Sequence, residues 1–164
     1  MKASHTASRR IEIDAAHRVP DHTGKCRNLH GHRYRVEAIC AGELASGGHE
    51  SGMVIDFGFL KQEMVEVIEA RSDHAIMLWS GDPLIEALTG KEPSAANADR
   101  EAHGRIPSRF GPILVLPFTP TAENLAHYWF DELQERIATR TGGRARLTEV
   151  RVWETPNACA TYCG

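Results

Sequence analysis

Alternating apolar and charged positions predict strands near both ends of the chain. The alternation runs over residues 9–19, 32–41 and 146–155. Strands with one buried face show this period of two. A segment rich in glycine and serine follows the second strand, and the apolar residues 113–118 are a candidate for a buried strand.

Two long amphipathic helices are predicted from apolar residues spaced by three and four positions. Asp56 can cap the first helix, and Gly142 and Gly143 end the second. The apolar positions are Leu60, Met64, Val67 and Ile68 in the first helix, and Leu125, Trp129, Leu133 and Ile137 in the second.

The segment 80–111 departs from this pattern and is predicted to be an insertion. Its first part suits a short helix, with Asp82 as the cap, Pro83 in the first turn and Gly90 at the end. The remainder, 91–111, has almost nothing to bury and is predicted to be a mobile loop.

The order of these elements predicts an α+β fold. A strand pair comes first, followed by a long helix, a short helix, a strand, the second long helix and a last strand. Leading strands joined by a turn favour an antiparallel sheet. A length of 164 residues suits a single domain, so we expect residues 1–164 to fold as one unit.

Composition is that of an ordinary globular protein. Hydrophobic residues make up 41% and charged residues 25% of the chain, and a net charge of −3 without a long basic tract argues against a nucleic-acid partner. No apolar run approaches the roughly 20 residues of a membrane span, so we expect no membrane partner and a cytoplasmic location. The four cysteines should then be reduced.

Basic residues are concentrated between positions 18 and 35, where Asp21 is the one acid. A solvated surface is the simpler interpretation, and a basic pocket for a phosphorylated ligand is the alternative. The basic residues are Arg18, Lys25, Arg27, Arg33 and Arg35.

Three histidines in the first part of the chain are candidates for a metal site. His30 and His32 are two positions apart in a predicted strand, so both imidazoles point to one face. His17 lies near the end of the preceding strand, and antiparallel pairing could bring it opposite them. Three neutral imidazoles with an open position suit a catalytic zinc ion, whereas Cys26 as a fourth ligand would close the site. A free Cys26 would instead be a reactive thiol beside the metal.

A cupin motif is an alternative interpretation of the same residues. Gly24, His30, His32 and Glu37 have the spacing of the first metal-binding motif of cupins, which are β-barrels that bind iron, manganese or zinc. The second cupin motif needs Pro-x-Gly, which the chain lacks, and two long helices fit a small barrel poorly.

Acidic residues are further candidates. Asp73 directly precedes His74 and can fix the tautomer of its imidazole, and a His74 that reached Cys26 would activate the thiol. Glu154 lies on the strand face that carries buried valines, where two adjacent N–H groups of an amino-pyrimidinone edge would satisfy its carboxylate. The simpler alternative for Asp73 and His74 is that they belong to a polar loop. For Glu154 it is an internal salt bridge or a surface position. Glu123 lies in the first turn of a helix, where a structural role suffices.

Together these motifs resemble the 6-pyruvoyl-tetrahydropterin synthase family over nearly the whole chain. The matching stretches are "DAAHR", "CRNLHGH", "GMVIDFGFLK", "SDH", "PTAENLAHYWFDEL" and "VWETPNACATY". The three residues between cysteine and HGH resemble the 6-carboxytetrahydropterin branch of bacterial queuosine biosynthesis, because the pyruvoyl branch typically has a longer gap. The resemblance implies the tunnelling fold, an antiparallel sheet with two long helices on one face. It also implies trimers that stack into a homohexamer, with active sites between subunits.

The resemblance assigns a role to each candidate residue. His17, His30 and His32 would be the zinc ligands. Cys26 would be the base that abstracts a proton, and Asp73 and His74 would be its relay. The pterin ring would be anchored by Glu154, with Glu123 and Thr121 in support. A neighbouring subunit would contribute the relay. Beyond what the resemblance implies, we assign the substrate triphosphate as the ligand of the basic cluster around Arg18, Lys25 and Arg27.

The implied reaction converts 7,8-dihydroneopterin triphosphate to 6-carboxy-5,6,7,8-tetrahydropterin, acetaldehyde and triphosphate with the help of zinc. The chain would then be a lyase that breaks carbon–carbon and carbon–oxygen bonds. One alternative is a 6-pyruvoyl-tetrahydropterin synthase, which eliminates triphosphate without breaking the carbon chain. Another is a non-catalytic zinc-binding domain in which Cys26 is a ligand.

Overall fold

The computed structural model describes residues 5–91 and 104–164, which form one seven-stranded sheet with helices. The order of strands across the sheet is β4-β5-β3-β1-β2-β6-β7. The strands are β1 (His5–His17), β2 (His30–Gly42), β3 (Ile76–Trp79), β4 (Arg105–Ile106), β5 (Ile113–Leu116), β6 (Ala145–Thr155) and β7 (Ala158–Cys163).

The helices begin and end at the residues whose side chains suit those positions. The first long helix follows Asp56, whose carboxylate accepts a hydrogen bond from the Phe59 amide at 2.7 Å. The second ends at Gly142 in the left-handed conformation, with φ of 60°. The helices are α1 (Phe57–Met64, continued by a π-helical segment Val65–Glu69 and a last turn Ala70–Ser72), α2 (Leu84–Thr89) and α3 (Ala122–Thr141). Among the described residues, none of these helices combines the length and apolar character that crossing a membrane requires.

Helices α1 and α3 pack on the same face of the sheet and enclose the main core with it. Tyr34, Val36 and Val150 from the central strands belong to one buried cluster with both helices. Every apolar position predicted for the two long helices is buried in it. The predicted α+β fold with two long helices on one face is therefore confirmed.

The sheet is mixed, which corrects the prediction of an antiparallel arrangement throughout. Strand β1 pairs antiparallel with β2, but β3 pairs parallel with both β1 and β5. Strand β3 begins beside Ala16, near the end of β1, and runs in the direction of β1, antiparallel to the preceding strand β2. The alternation of residues shows where a strand lies but carries no information on its direction.

Part of the segment 80–111 builds a second, smaller core on the other face of the sheet. Met77 of β3 belongs to the main core. Its neighbours Ile76 and Leu78 point to the opposite face of the sheet, because side chains alternate along a strand. Apolar residues of α2 and β4 cover them there, namely Ile85, Leu88 and Ile106.

The short helix in this segment forms with the predicted signals. The Asp82 carboxylate accepts a hydrogen bond from the Leu84 amide at 2.9 Å, and Gly90 ends the helix with φ of 71°. The prediction of a mobile loop over 91–111 is wrong at β4, whose Ile106 is fully buried. Residues 92–103 lie outside the described residues. The single domain over 1–164 with an insertion at 80–111 stays a prediction.

Candidate metal and catalytic site

Three imidazoles converge where β1 ends and β2 begins. His17 lies opposite His30 in the antiparallel register, and Ala15 lies opposite His32. The ring centroids are 4.5 Å apart for His17 and His30, 4.9 Å for His30 and His32, and 5.2 Å for His17 and His32. One nitrogen from each ring lies within 4.8 Å of the others, so the three rings could hold one metal ion.

Backbone carbonyls set the orientation of two of these rings. The Nδ1 atom of His17 lies 2.7 Å from the carbonyl oxygen of Pro120, and Nδ1 of His30 lies 2.8 Å from that of Asn28. Because a carbonyl oxygen only accepts hydrogen bonds, each Nδ1 carries the proton and leaves an electron pair on Nε2. Metal-ligating histidines are commonly oriented in this way.

The Nε2 atoms of His17 and His32 are buried and have no hydrogen-bond partner. The Oε1 atom of Glu154 is 3.8 Å from Nε2 of His17, which is beyond hydrogen-bond distance. A buried nitrogen without a partner is unfavourable, and a metal ion would satisfy both atoms at once. The donor set of three imidazoles suits zinc, and the residues present fit that ion.

Burial lowers the pKa of His17 to about 4, and the neighbouring His30 and His32 add to this effect. The pKa of His32 is also lowered, by burial first and then by His30. His17 is therefore neutral near pH 7, and neutral imidazole is the form that binds a metal ion.

The low pKa of His17 predicts that the metal-free protein loses stability in acid. Between about pH 6.5 and pH 4 the unfolded chain binds a proton at this residue that the folded chain does not. The free energy of unfolding should therefore fall by about 1.4 kcal/mol per pH unit as the pH drops through this window. Urea unfolding of chelator-treated protein at several pH values measures the slope.

Two variants identify the residue responsible for this slope. His17→Gln should remove most of the acid sensitivity, whereas His22→Gln, at an exposed position, should retain it. Equal slopes in the wild type and in His17→Gln would contradict the assignment.

A cavity of about 320 Å³ lies beside His17 and collects the other predicted residues. The 3₁₀ turn Lys25–Arg27 carries Cys26, whose carbonyl oxygen accepts a hydrogen bond from the Val19 amide at 2.8 Å. Among the described residues, the group able to hold a metal ion contains the three histidines without Cys26. The cavity lining includes His17, Cys26, Thr121, Glu123, Glu154 and Cys159.

Two carboxylates, Glu154 and Glu123, face this cavity. Burial raises the pKa of Glu154, and the charge of Glu123 raises it further. Glu123 is positioned by the first turn of α3, which Thr121 caps by accepting a hydrogen bond from the Asn124 amide at 3.3 Å. A ligand with two adjacent N–H donors would stabilise the charged form of Glu154 through two parallel hydrogen bonds.

Asp73 and His74 form a hydrogen-bonded pair, and His74 lines a different cleft. The Oδ2 atom of Asp73 accepts from Nδ1 of His74 at 2.7 Å, and Oδ1 accepts from the Asp14 amide at 2.9 Å. The His74 amide in turn donates to the Asp14 carbonyl at 2.7 Å, and His74 has a positive φ of 54°. The His74 side chain is 78% exposed. Its cleft is also lined by His32 but by neither Cys26 nor Glu154, so His74 and the thiol line different clefts of one chain.

Comparison with known proteins identifies the family. A family model described as 6-pyruvoyl tetrahydropterin synthase matches residues 6–164. The chain belongs to this family. A Haemophilus influenzae relative is 30% identical over 155 residues, covering 94% of this chain and 96% of the relative. A Rickettsia bellii relative is 33% identical over 151 residues, covering 92% of this chain and 94% of the relative. Both are named 6-carboxy-5,6,7,8-tetrahydropterin synthase, and the predicted resemblance is confirmed.

Solved structures confirm the fold of this family member. An uncharacterised protein from Wolinella succinogenes superposes with a TM-score of 0.82 at 21% identity, covering 99% of both chains. The Caenorhabditis elegans 6-pyruvoyl tetrahydropterin synthase gives 0.63 at 25% identity, covering 99% of this chain and 96% of that one. The cupin alternative is therefore wrong, because a sheet covered by two long helices is not a jelly-roll barrel. The chain is a pterin synthase, an enzyme of the lyase class.

Internal ion pairs use most of the basic residues that the sequence concentrates near this site. Lys25 and Arg27, which flank Cys26, take part in no ion pair among the described residues. These two side chains are therefore the members of the cluster available to a phosphorylated ligand. The internal pairs join Arg18 to Asp82 at 2.8 Å, Arg33 to Asp14 at 3.0 Å and Arg35 to Glu12 at 3.3 Å.

Sequence reasoning missed three residues of the candidate site. Pro120 orients His17 from 103 positions away, and no local pattern indicates this contact. Tyr34 places its ring 5.7 Å from that of His17, and its position two residues after His32 on the same strand face could have indicated it. Cys159 lines the cavity, and its pairing opposite Trp153 next to Glu154 depends on the hairpin of β6 and β7.

Proposed function

We propose that this protein is a cytoplasmic, zinc-dependent 6-carboxy-5,6,7,8-tetrahydropterin synthase of queuosine biosynthesis. Its substrates would be 7,8-dihydroneopterin triphosphate and one water molecule, and its products the 6-carboxy pterin, acetaldehyde and triphosphate. The observation that carries the proposal is an open trio of histidines beside a cavity that contains both a free thiol and a half-buried carboxylate.

The reaction balances without an external oxidant or reductant. A carbon–oxygen bond breaks to release triphosphate, and a carbon–carbon bond of the three-carbon side chain breaks to release acetaldehyde. The carbon left on the ring becomes the carboxyl group with oxygen from water. The electrons lost by the side chain reduce the dihydropterin ring to the tetrahydro form.

Each group of residues in the site would perform one part of this reaction. Zinc, when bound by His17, His30 and His32, would act as a Lewis acid for oxygen atoms of the substrate side chain. Cys26, as a thiolate outside the metal-binding group, would remove a proton from a side-chain carbon. The imidazole of His74, held in one tautomer by Asp73, would return protons.

An assembly with sites between subunits is part of the proposal. Cys26 and His74 line different clefts of one chain, which supports a site that a second copy completes. The exposed His74 of one copy could instead reach the cavity of the next, as expected for a trimer or a stacked hexamer. The substrate triphosphate would lie near Lys25 and Arg27.

Replacing Glu154 by glutamine should raise KM for the pterin substrate by about 10–100-fold, because a hydrogen bond to a charged group contributes about 1.5–3 kcal/mol. The glutamine amide keeps one acceptor oxygen but turns a donor toward the N–H groups of the ligand. Steady-state kinetics measure the change. Glu123→Gln should cause a smaller increase, and an unchanged KM in Glu154→Gln would rule out the pterin anchor.

The function itself is tested by incubating zinc-loaded protein with 7,8-dihydroneopterin triphosphate and analysing the products by mass spectrometry. Acetaldehyde together with the 6-carboxy pterin supports the proposal. Triphosphate with a 6-pyruvoyl pterin and no acetaldehyde would assign the other branch of the family. An untouched substrate in the presence of bound zinc would overturn the proposal.

A further inference from the structure

Phe110 exposes 73% of its surface, more than any other large apolar side chain in the described part of the chain. It belongs to the segment 80–111 and lies in the open cleft that His74 lines, next to His32 and Arg33. One exposed aromatic ring is ordinary by itself. This ring shares a cleft with His32 and His74, where a ligand or a second copy could cover it.

The backbone around Phe110 is fixed by hydrogen bonds. The Ser108 hydroxyl accepts from the Phe110 amide at 3.2 Å and donates to the Gly111 carbonyl at 2.6 Å. Gly111 has φ of 124°, a conformation that side chains other than glycine rarely adopt. The ring is therefore presented by a defined turn.

The same turn is connected to the strand that follows His74. The Pro112 carbonyl accepts a hydrogen bond from the Ile76 amide at 2.9 Å, and β5 then continues in parallel beside β3. His74 and Phe110 thus precede adjacent parallel strands and line one cleft, so a single element of a second copy could contact both.

We propose that Phe110 enters the active-site cavity of a neighbouring copy together with His74 and covers the bound pterin substrate there. The inference rests on the proposed function, in which Cys26 of one copy works with His74 of the next. The ring would shield the reacting carbons from water and add apolar contact with the substrate, which makes Phe110 a specificity residue supplied by the segment 80–111.

Kinetics of single variants test this contact. Phe110→Ala should lower kcat/KM by about tenfold, mainly through KM, and Phe110→Leu should restore part of the loss. Phe57→Ala is the matched control, because Phe57 is 55% exposed at the start of α1 and lines neither cleft. Unchanged kinetics in Phe110→Ala would overturn the inference, as would a loss explained by dissociation of the oligomer on size-exclusion chromatography.

Mixed oligomers test whether the ring acts on a neighbour. When Cys26→Ala and Phe110→Ala chains are co-refolded in equal amounts, about one site in four should combine an intact Cys26 from one chain with an intact Phe110 from another. A kinetic component with the wild-type KM is the expected result. Turnover with the raised KM of Phe110→Ala alone would overturn the inference.

The same mixture with His74→Ala in place of Phe110→Ala separates the two proposals. Suppose that the His74→Ala mixture recovers activity but the Phe110→Ala mixture shows no component with the wild-type KM. This result refutes the role of Phe110 and leaves the proposed function intact. No recovered activity with His74→Ala refutes the arrangement of base and relay between copies, and the inference on Phe110 falls with it.

Discussion

Replacement of Cys26 by alanine should lower kcat by about 10²–10⁴-fold, the range for loss of a positioned general base. The zinc content should not change, because the metal-binding group of the described residues consists of three histidines without this thiol. Stopped-flow or steady-state product formation, combined with metal analysis of the same preparation, measures both quantities.

Cys159→Ala is the matched control for this experiment, because Cys159 is a second thiol in the lining of the same cavity. It should retain most of the activity, since it is assigned no proton transfer. In the zinc-loaded wild type, Cys26 should also react with an alkylating reagent. Loss of zinc from Cys26→Ala, or protection of Cys26 from alkylation by zinc, would instead identify the closed, non-catalytic site with Cys26 as fourth ligand.

Replacement of His30 by alanine should weaken zinc binding by at least about 100-fold, because changes that merely reorient a metal ligand already cost 10–100-fold. His30 is only partly buried, so the fold should survive the change. Activity should fall with the metal content. Zinc in excess of Kd by 100-fold stabilises a folded protein by about 2.7 kcal/mol, and this increase should be absent in the variant.

Thermal unfolding with and without zinc, together with competition against a chromophoric chelator, measures these effects. His22→Ala is the control, because His22 lines the cavity but is outside the metal-binding group. Wild-type zinc affinity in His30→Ala would contradict the site. A lower affinity with full activity would show that the metal is structural.

The parts of the site that the sequence could predict are local in the chain. His30 and His32 share a strand face because side chains two apart in a strand point the same way, whatever the rest of the fold. Asp73 can reach His74 because the two residues are adjacent in the chain, and Thr121 caps α3 with its own side chain. The long helices were likewise predictable, since their apolar spacing of three and four residues needs a buried face.

Other features depend on contacts between distant segments. His17 receives its orientation from the carbonyl of Pro120, and Glu154 meets His17 only after β6 pairs with β2. Phe110 reaches the cleft of His74 because β5 lies beside β3 in parallel. The direction of β3 depends on its pairing with β1 and β5, which the alternation of residues does not encode.

The amino-acid sequence by itself determined the helices, most of the strands, the pair HGH with its nearby cysteine and the family resemblance, because these depend on periodicity and spacing along the chain. The tertiary structure decided that three imidazoles converge with buried, unpartnered nitrogens and that Cys26 stays outside their group. It also decided that Cys26 and His74 open into different clefts. The physical reason is that burial, the loss of hydrogen-bond partners and the low pKa of His17 arise from packing between residues far apart in sequence.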